Sequence, residues 1–531
     1  MPTLEWIGKD KVINHHQEVP FRILERKYSF DERGRHDNDN GSGNMIIHGD
    51  NLEALKALLP SYEGRVRCVY IDPPYNTGNE GWVYNDNVND PKIRKWLGSV
   101  VGKEGEDLSR HDKWLCMMYP RLKLLQKLLS DEGVIFISIG DDEISSLRFI
   151  CNEIFGENNF VDTIIWQKIY TIKNSAKYFS GMHDYIVVYA KRKELFRRNL
   201  FPRTEELDNT YTNPDNDPRG PWTTNAVQAR NYNGSGQYVI YSPTGRQFTP
   251  PPGTYWRVSE KSFRELDEDN RIWWGQDGNS VPRIKKFLSE AKQGVVPTTF
   301  WSYKEAGQNA DAKLEIRSIF GEEGDTIFTT PKPSKLIERI IQVAADKDSI
   351  ILDSFAGSGT TAHSILKANQ FDHGSRRFIL IEMMDYAESI TAERVKRVIN
   401  GYGEGRKTVP GTGGSFSFYE LGEPLMLDAE HLNEKVGKDK IREYVWYTET
   451  RQPLPETRPE HGYLLGTLNR PAYHFYYEPN QMTVLGYDFL STIREKAESY
   501  IIYADRCALS DAELMRFGIT FKKIPRDITR L

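Results

Sequence analysis

Ser349-Ile350-Ile351-Leu352-Asp353-Ser354-Phe355-Ala356-Gly357-Ser358-Gly359-Thr360-Thr361 is the stretch that decides the fold. Ser349 opens an apolar run, Ile350-Ile351-Leu352, and these first four residues read as a buried strand. A glycine-rich turn follows, and residues 362–368 have the composition of a helix. Strand, glycine turn and helix in that order form the architecture of a nucleotide-type cofactor site at the end of a parallel strand. Gly357 and Gly359 let the backbone approach a ligand closely. The helix N-terminus beyond them favours a carboxylate or phosphate. No lysine follows the glycines, so the loop is not the phosphate loop of an ATPase, and its spacing is not that of a dinucleotide fingerprint. The next apolar run, Arg377-Phe378-Ile379-Leu380-Ile381, ends at Glu382. An acid at that separation from a glycine turn is placed for ribose hydroxyls. Together the two strand ends describe an adenosine cofactor with a small anionic group and no phosphate chain, and S-adenosylmethionine fits.

A second strand end lies far upstream. Val66-Arg67-Cys68-Val69-Tyr70-Ile71 runs into Asp72-Pro73-Pro74-Tyr75. Two prolines cannot continue a sheet ladder. They present an acid, a turn without N–H donors and an aromatic ring together. This set suits methylation of the exocyclic amine of a nucleobase. The amine's lone pair is delocalised into the ring, and two acceptors aimed at its hydrogens favour the pyramidal, nucleophilic form. Asp72 offers a carboxylate and Pro73 a carbonyl. Pro73 and Pro74 bring no N–H to compete. Tyr75 can stack on an extruded base. Taken alone, the tetrapeptide is equally consistent with a strand that ends in a Pro-Pro turn beside a surface acid and a packed tyrosine.

The two motifs together resemble the amino-methyltransferases of DNA, and the longer string from Tyr70 to Asn79 is similar to the modification subunits of type III restriction systems. Gly49-Asp50-Asn51-Leu52 resembles the family's element at the cofactor adenine, which points to Asp50. Thr330-Pro331-Lys332-Pro333 resembles the segment near the methionine end, which points to Lys332 and Pro333. The order of motifs, catalytic before cofactor-binding, is the permuted order of the β class. The resemblance implies an α/β, Rossmann-like S-adenosylmethionine-dependent fold with an inserted target-recognition domain and a C-terminal extension. It implies Asp72, Pro73, Pro74 and Tyr75 as catalytic residues. It implies Asp50, Asp353, Phe355, Gly357, Gly359, Thr360, Thr361, Glu382, Lys332 and Pro333 around the cofactor, with Thr360 or Thr361 near its carboxylate. Asp at the first motif position implies adenine N6 over cytosine N4. Double-stranded DNA, a homodimer and a helicase-nuclease partner subunit are further implications. The alternatives are cytosine N4, an RNA substrate, and a catalytically idle DNA-recognition subunit. A nucleotide-driven motor is disfavoured by the missing lysine.

Composition bounds the rest. The chain has 531 residues, of which 38% are hydrophobic and 12% aromatic, with a formal charge of -5. That charge disfavours a purely electrostatic nucleic-acid binder but leaves room for a local basic cleft. Four cysteines, at 68, 116, 151 and 507, form no close pair or zinc spacing. No metal is expected. No signal-peptide pattern or long apolar run is present, and with the resemblance this leads us to expect a cytoplasmic bacterial protein.

Five segments and one link follow. Residues 1–43 are a polar N-terminal segment, with His15 and His16 read as surface histidines. Residues 44–195 hold the catalytic half, in which helix 117–129 and strands 133–139 and 185–189 alternate. Within it, the long polar run 76–110 is read as a lid over the extruded base. Residues 196–325 are rich in Pro, Gly, Asn and aromatics. They carry Arg219, Arg230, Arg246, Arg257, Arg283, Lys285 and Lys286, and read as a target-recognition insertion whose tryptophans largely form its own core. Residues 326–400 hold the cofactor half, and 401–414 a flexible link. Residues 415–531 read as a separate C-terminal domain for partner docking or self-association.

Overall fold

A computed structural model describes residues 3–77, 110–292, 294–427, 431–455 and 462–528. The lid expected between residues 76 and 110 falls almost wholly outside them. The chain divides into two compact units, one made of Met1–Asn199 with Thr298–Leu531 and the other of Leu200–Pro297.

The first unit is built on an eleven-stranded mixed sheet. In chain order its strands are β1 (Arg22–Asp31), β2 (Gly34–His36), β3 (Met45–His48), β4 (Val66–Ile71), β5 (Leu129–Ile139), β6 (Phe160–Gln167), β7 (His183–Ala190), β8 (Phe300–Trp301), β9 (Ile350–Asp353), β10 (Arg377–Glu382) and β11 (Ser415–Pro424). In space they run β8-β6-β7-β5-β4-β9-β10-β3-β11-β1-β2. Strands β5, β4, β9, β10, β3 and β11 are mutually parallel, while β7 enters antiparallel between β5 and β6. This is the α/β, Rossmann-like sheet expected. Its central strands are continuous runs of Val, Ile, Leu and Phe because both faces are covered. Helices α1 (Asn51–Tyr62), α2 (Arg110–Leu128), α3 (Ile144–Phe155), α4 (Asn309–Phe320), α5 (Ser334–Ala344), α6 (Thr360–Asp372), α7 (Glu393–Asn400) and α8 (Lys438–Thr450) belong to the same unit. The registers Leu352↔Val69, Leu352↔Ile379 and Ile379↔Met45 bring the C-terminal ends of β4, β9, β10 and β3 to one edge.

Segment boundaries differ from the sequence reading in three places. The N-terminal segment is not merely polar: β1 pairs along its length with β11, so residues 1–43 and 415–424 together extend the main sheet. His16 is buried, and burial lowers its pKa to about 4; burial also lowers His15. Neither is the surface histidine expected. The second unit, 200–297, is narrower than the 196–325 insertion, because residues 298–325 supply β8 and α4 to the first unit.

The C-terminal region carries a four-stranded sheet of Leu464–Thr467, Pro471–Phe475, Ser499–Ala504 and Ile519–Lys523. Helix α8 buries Tyr444, Val445, Trp446 and Tyr447 in the main core. Ser61 at the end of α1 donates to Glu443 at 2.9 Å, and Tyr447 donates to Glu63.

The second unit has a small core of Val227, Ile240, Trp256, Phe263, Ile272 and Trp274, so two of its tryptophans build that core. Lys285, one of the basic residues of the expected target-recognition insertion, is buried and donates to Asp215 and Asp217. Arg219 is likewise bound to Asp217, at 2.9 Å. A buried ammonium is tolerated only when it is paired, and these two acids supply the pairing.

Candidate active site

The turn after β9 begins with Asp353, whose Oδ1 accepts from Phe355 N at 3.0 Å and whose Oδ2 accepts from Thr361 Oγ1 at 2.6 Å. One carboxylate therefore spans the turn and fixes its two ends. Gly357 and Gly359 have φ of 51° and 80°, where a side chain is strained. A Cβ on Gly357 would lie 3.1 Å from the Phe328 ring, and one on Gly359 would lie 3.0 Å from the Thr391 carbonyl. Glu382, at the end of β10, accepts from Gly357 N at 2.7 Å and Met384 N at 3.0 Å. Ser354 Oγ is buried and meets no hydrogen-bond partner among the described residues.

The turn rests on a polar cluster. Arg394 of α7 is fully buried. Its NH1 donates to Ser358 Oγ at 2.9 Å and Thr360 Oγ1 at 2.8 Å, and its NH2 to Glu315 Oε2 at 2.9 Å. Thr360 Oγ1 also donates to the Lys332 carbonyl at 3.2 Å, tying the glycine turn to the segment before α5.

Asp50 caps α1: its Oδ1 accepts from Leu52 N at 2.8 Å and Glu53 N at 3.2 Å, while Oδ2 accepts from the buried Arg121 at 3.3 Å. Arg121 also donates to Asn51, which in turn donates to the Ser354 carbonyl at 3.2 Å. The β3 and β9 ends are thereby joined across β10.

On the neighbouring strand β4, Asp72 is buried. Its Oδ2 accepts from Lys332 Nζ at 2.5 Å, and its buried Oδ1 meets no hydrogen-bond donor in good geometry among the described residues. The same ammonium lies 5.1 Å from the centroid of the Tyr75 ring. That ring packs over Gly140 at the end of β5, where a Cβ would come within 3.1 Å. Trp114 Nε1 donates to the Pro74 carbonyl at 2.7 Å and fixes the turn from beneath. Asn76, at φ 58°, donates to the buried Glu143, which also pairs with His111 at 2.7 Å.

Burial pushes both Asp353 and Glu382 up to about 7; the Asp72 charge adds to the shift of Asp353, and the Asp353 charge to that of Glu382. Tyr75 is raised by burial, then by the charges of Asp72 and Asp184. Several carboxylates thus share one dry edge. Such a set repels a phosphate chain and accepts a ligand that brings hydroxyl donors or positive charge. Each raised carboxylate binds its proton more tightly in the folded chain than in the unfolded one. Its contribution to stability is complete below the unfolded value and is lost as pH rises through about 7. The ligand-free protein should therefore lose stability from these groups between about pH 4 and about pH 7. Asp353→Asn should flatten that decline in denaturant unfolding measured across the range; an unchanged slope would show that Asp353 titrates normally.

A family model described as DNA methylase matches residues 66–393. The chain belongs to the DNA methylase family. The Mod subunit of the type III restriction-modification enzyme StyLTI of Salmonella typhimurium is 35% identical over 71% of this chain and 57% of its own length. The EcoPI Mod subunit of Escherichia phage P1 is 31% identical over 72% of this chain and 63% of its own. The type II methyltransferase M.KpnI of Klebsiella pneumoniae is 31% identical over 65% and 81%. The chain thus spans about three fifths of the Mod subunits it matches.

Within this DNA methylase the geometry adds residues that the sequence reading missed. Lys332, expected near the cofactor's methionine end, is tied to the glycine turn by its carbonyl, and its ammonium adds an unforeseen contact with Asp72 and Tyr75. Asp184, at the start of β7, is buried and accepts from Lys168 at 2.6 Å. Burial raises its pKa, and Lys168, Lys332 and Asp72 all act on it electrostatically. The methylase fold thereby places a second carboxylate beside the Asp72 pocket. Its signal in the sequence was a charged residue opening an otherwise apolar strand. No cluster of three or more metal-ligating side chains occurs among the described residues, and no helix there is long and apolar enough to cross a membrane.

Proposed function

We propose that this chain transfers a methyl group from S-adenosylmethionine to the N6 amine of an adenine extruded from DNA. The observation that carries this reading is the adjacency of β4 and β9, which sets Asp72-Pro73-Pro74-Tyr75 beside the glycine turn from Asp353 to Thr361. When bound, the cofactor supplies an electrophilic methyl on a sulfonium centre. The buried carboxylates Asp353 and Glu382 suit its ribose hydroxyls and positive charge, and the α6 N-terminus backed by Arg394 suits its carboxylate. Asp50 stands at the β3 end for the adenine, and Phe355 and Pro333 flank the turn.

At the other end of the site, Asp72 Oδ1 and the Pro73 carbonyl accept from the target amine and localise its lone pair. The Pro74 carbonyl is already occupied by Trp114. The base stacks on Tyr75 while Lys332 holds Asp72 through Oδ2. Asp72 then receives the proton that the methylated amine sheds. Residues 200–297 would read the DNA sequence through residues other than Lys285 and Arg219. The names of the Mod relatives favour a restriction-modification setting with a partner subunit, and the motif resemblance implies a homodimer and a helicase-nuclease partner.

The test is to incubate the protein with unmethylated bacterial DNA and labelled S-adenosylmethionine, digest to nucleosides and identify the labelled base by mass. N6-methyladenine is expected. N4-methylcytosine would keep the site chemistry and correct the base. Absence of label in either overturns the reading.

A further inference from the structure

The connection between β6 and β7 rises from the edge that carries the active site. Gln167 pairs with His183, and Ile139 at the end of β5 pairs with Tyr185, so both ends of this connection lie beside the Asp72 pocket. Its base is firmly held. Ile169 N donates to Met182 O at 3.3 Å, Tyr170 N donates to Gln308 at 3.2 Å, and the Tyr170 ring lies 4.7 Å from Tyr303. Lys168 at the same base is bound to Asp184. The tip has its own order: Lys173 N donates to Ser180 Oγ at 2.9 Å, and Ala176 N to the Lys173 carbonyl at 3.0 Å. Yet its largest side chains face solvent, with Tyr178 79% and Phe179 95% exposed. From 168 to 182 the chain carries Lys168, Lys173 and Lys177 and no acid. Tyr170 and Ile172 are exposed along the way.

A braced loop with aromatic rings at its tip, lysines on its flanks and a base-modifying pocket at its foot matches the chemistry of a disturbed nucleic-acid duplex. Phosphates meet the lysines, and unstacked base faces meet the rings. Resting on the proposed function, we infer that residues 170–180 are a wedge whose Tyr178 and Phe179 stack in the space left when the target base leaves the duplex. The wedge then stabilises the extrahelical state and takes no part in methyl transfer itself.

The wild-type enzyme first maps its own methylated site on unmethylated bacterial DNA. Two duplexes bearing that site are then compared. In one the target base is paired; in the other it faces an abasic position, so that extrusion breaks no pair. For Y178A/F179A, kcat/KM on the paired duplex should fall by about tenfold or more, the range of one lost base–aromatic stack. On the abasic-opposed duplex it should stay within about threefold of wild type, since the cost the wedge offsets is already removed. F179Y should retain activity on both. An unchanged thermal shift with S-adenosylmethionine would verify that the double variant is folded. Equal losses on the two duplexes, or no loss on either, would overturn the wedge. A wild-type protein that labels neither duplex nor genomic DNA would overturn the function on which the wedge rests, and the wedge with it.

Discussion

Asp72→Ala is expected to lower methyl transfer by about 10²–10³-fold or more while leaving S-adenosylmethionine binding within a small factor of wild type. The carboxylate is buried at the end of β4, with Oδ2 on Lys332 and Oδ1 meeting no donor in good geometry among the described residues. It is the acceptor toward which charge develops as the amine becomes a nucleophile. Electrostatic groups fixed in advance in a dry site contribute most at that moment. The glycine turn, by contrast, is held by Asp353, Glu382 and Arg394, and none of these hydrogen bonds passes through Asp72. Single-turnover transfer of labelled methyl and calorimetric titration of the cofactor separate the two effects. Asp72→Asn, which keeps an acceptor but loses the charge, should fall between wild type and alanine. Wild-type turnover in the alanine variant would remove Asp72 from the mechanism.

Arg394→Ala is expected to destabilise the first unit by about 3–5 kcal/mol, the cost of stranding a buried partner. Burial alone would raise the pKa of Glu315, but the Arg394 guanidinium beside it holds it below the usual range. His363 is kept neutral, its pKa lowered to about 3 chiefly by burial, and it lies 3.1 Å from Arg394. Removing the guanidinium leaves the Glu315 carboxylate facing a neutral imidazole and takes the charged donor away from the hydroxyls of Ser358 and Thr360. Urea unfolding should show the loss. Adding Glu315→Gln to the same chain should recover part of it, because the stranded charge disappears. A single variant that unfolds at the wild-type midpoint would mean that water replaces the guanidinium at little cost.

What the sequence made legible were the parts with local signatures. Strands β4 and β9 are continuous apolar runs that stop at prolines or glycines, so their ends could be placed almost to the residue, and the chemistry sits at those ends. The glycine turn and its acids were legible for the same reason. Contacts between distant positions were not. Lys332 and Asp72 are 260 residues apart, and nothing local says that an ammonium before α5 will find that carboxylate. Arg394, Glu315 and His363 each lie on an ordinary helix and acquire meaning only where three helices meet. Strand β1, Arg-Ile-Leu-Glu-Arg-Lys-Tyr-Ser-Phe-Asp, is half polar because it lies near the sheet's edge, and a half-polar run has no distinctive period. Lys285 misled for a related reason, since its neutralising acids Asp215 and Asp217 are some 70 residues earlier.

The order of strands in the sheet has a consequence for how the protein is made. Strands β3 and β4 are separated by only 17 residues of chain, yet two strand positions lie between them, and these are filled by β9 and β10. A ribosome that has finished β4 must still deliver everything through residue 382 before the gap can close. At about 5–20 residues per second that interval is roughly 15–60 s. Throughout it, the strand that ends in Asp72 has an unsatisfied edge and an uncovered apolar face. Nascent chains paused before residue 350 should therefore be strong clients of chaperones, and those released after residue 424 weak ones.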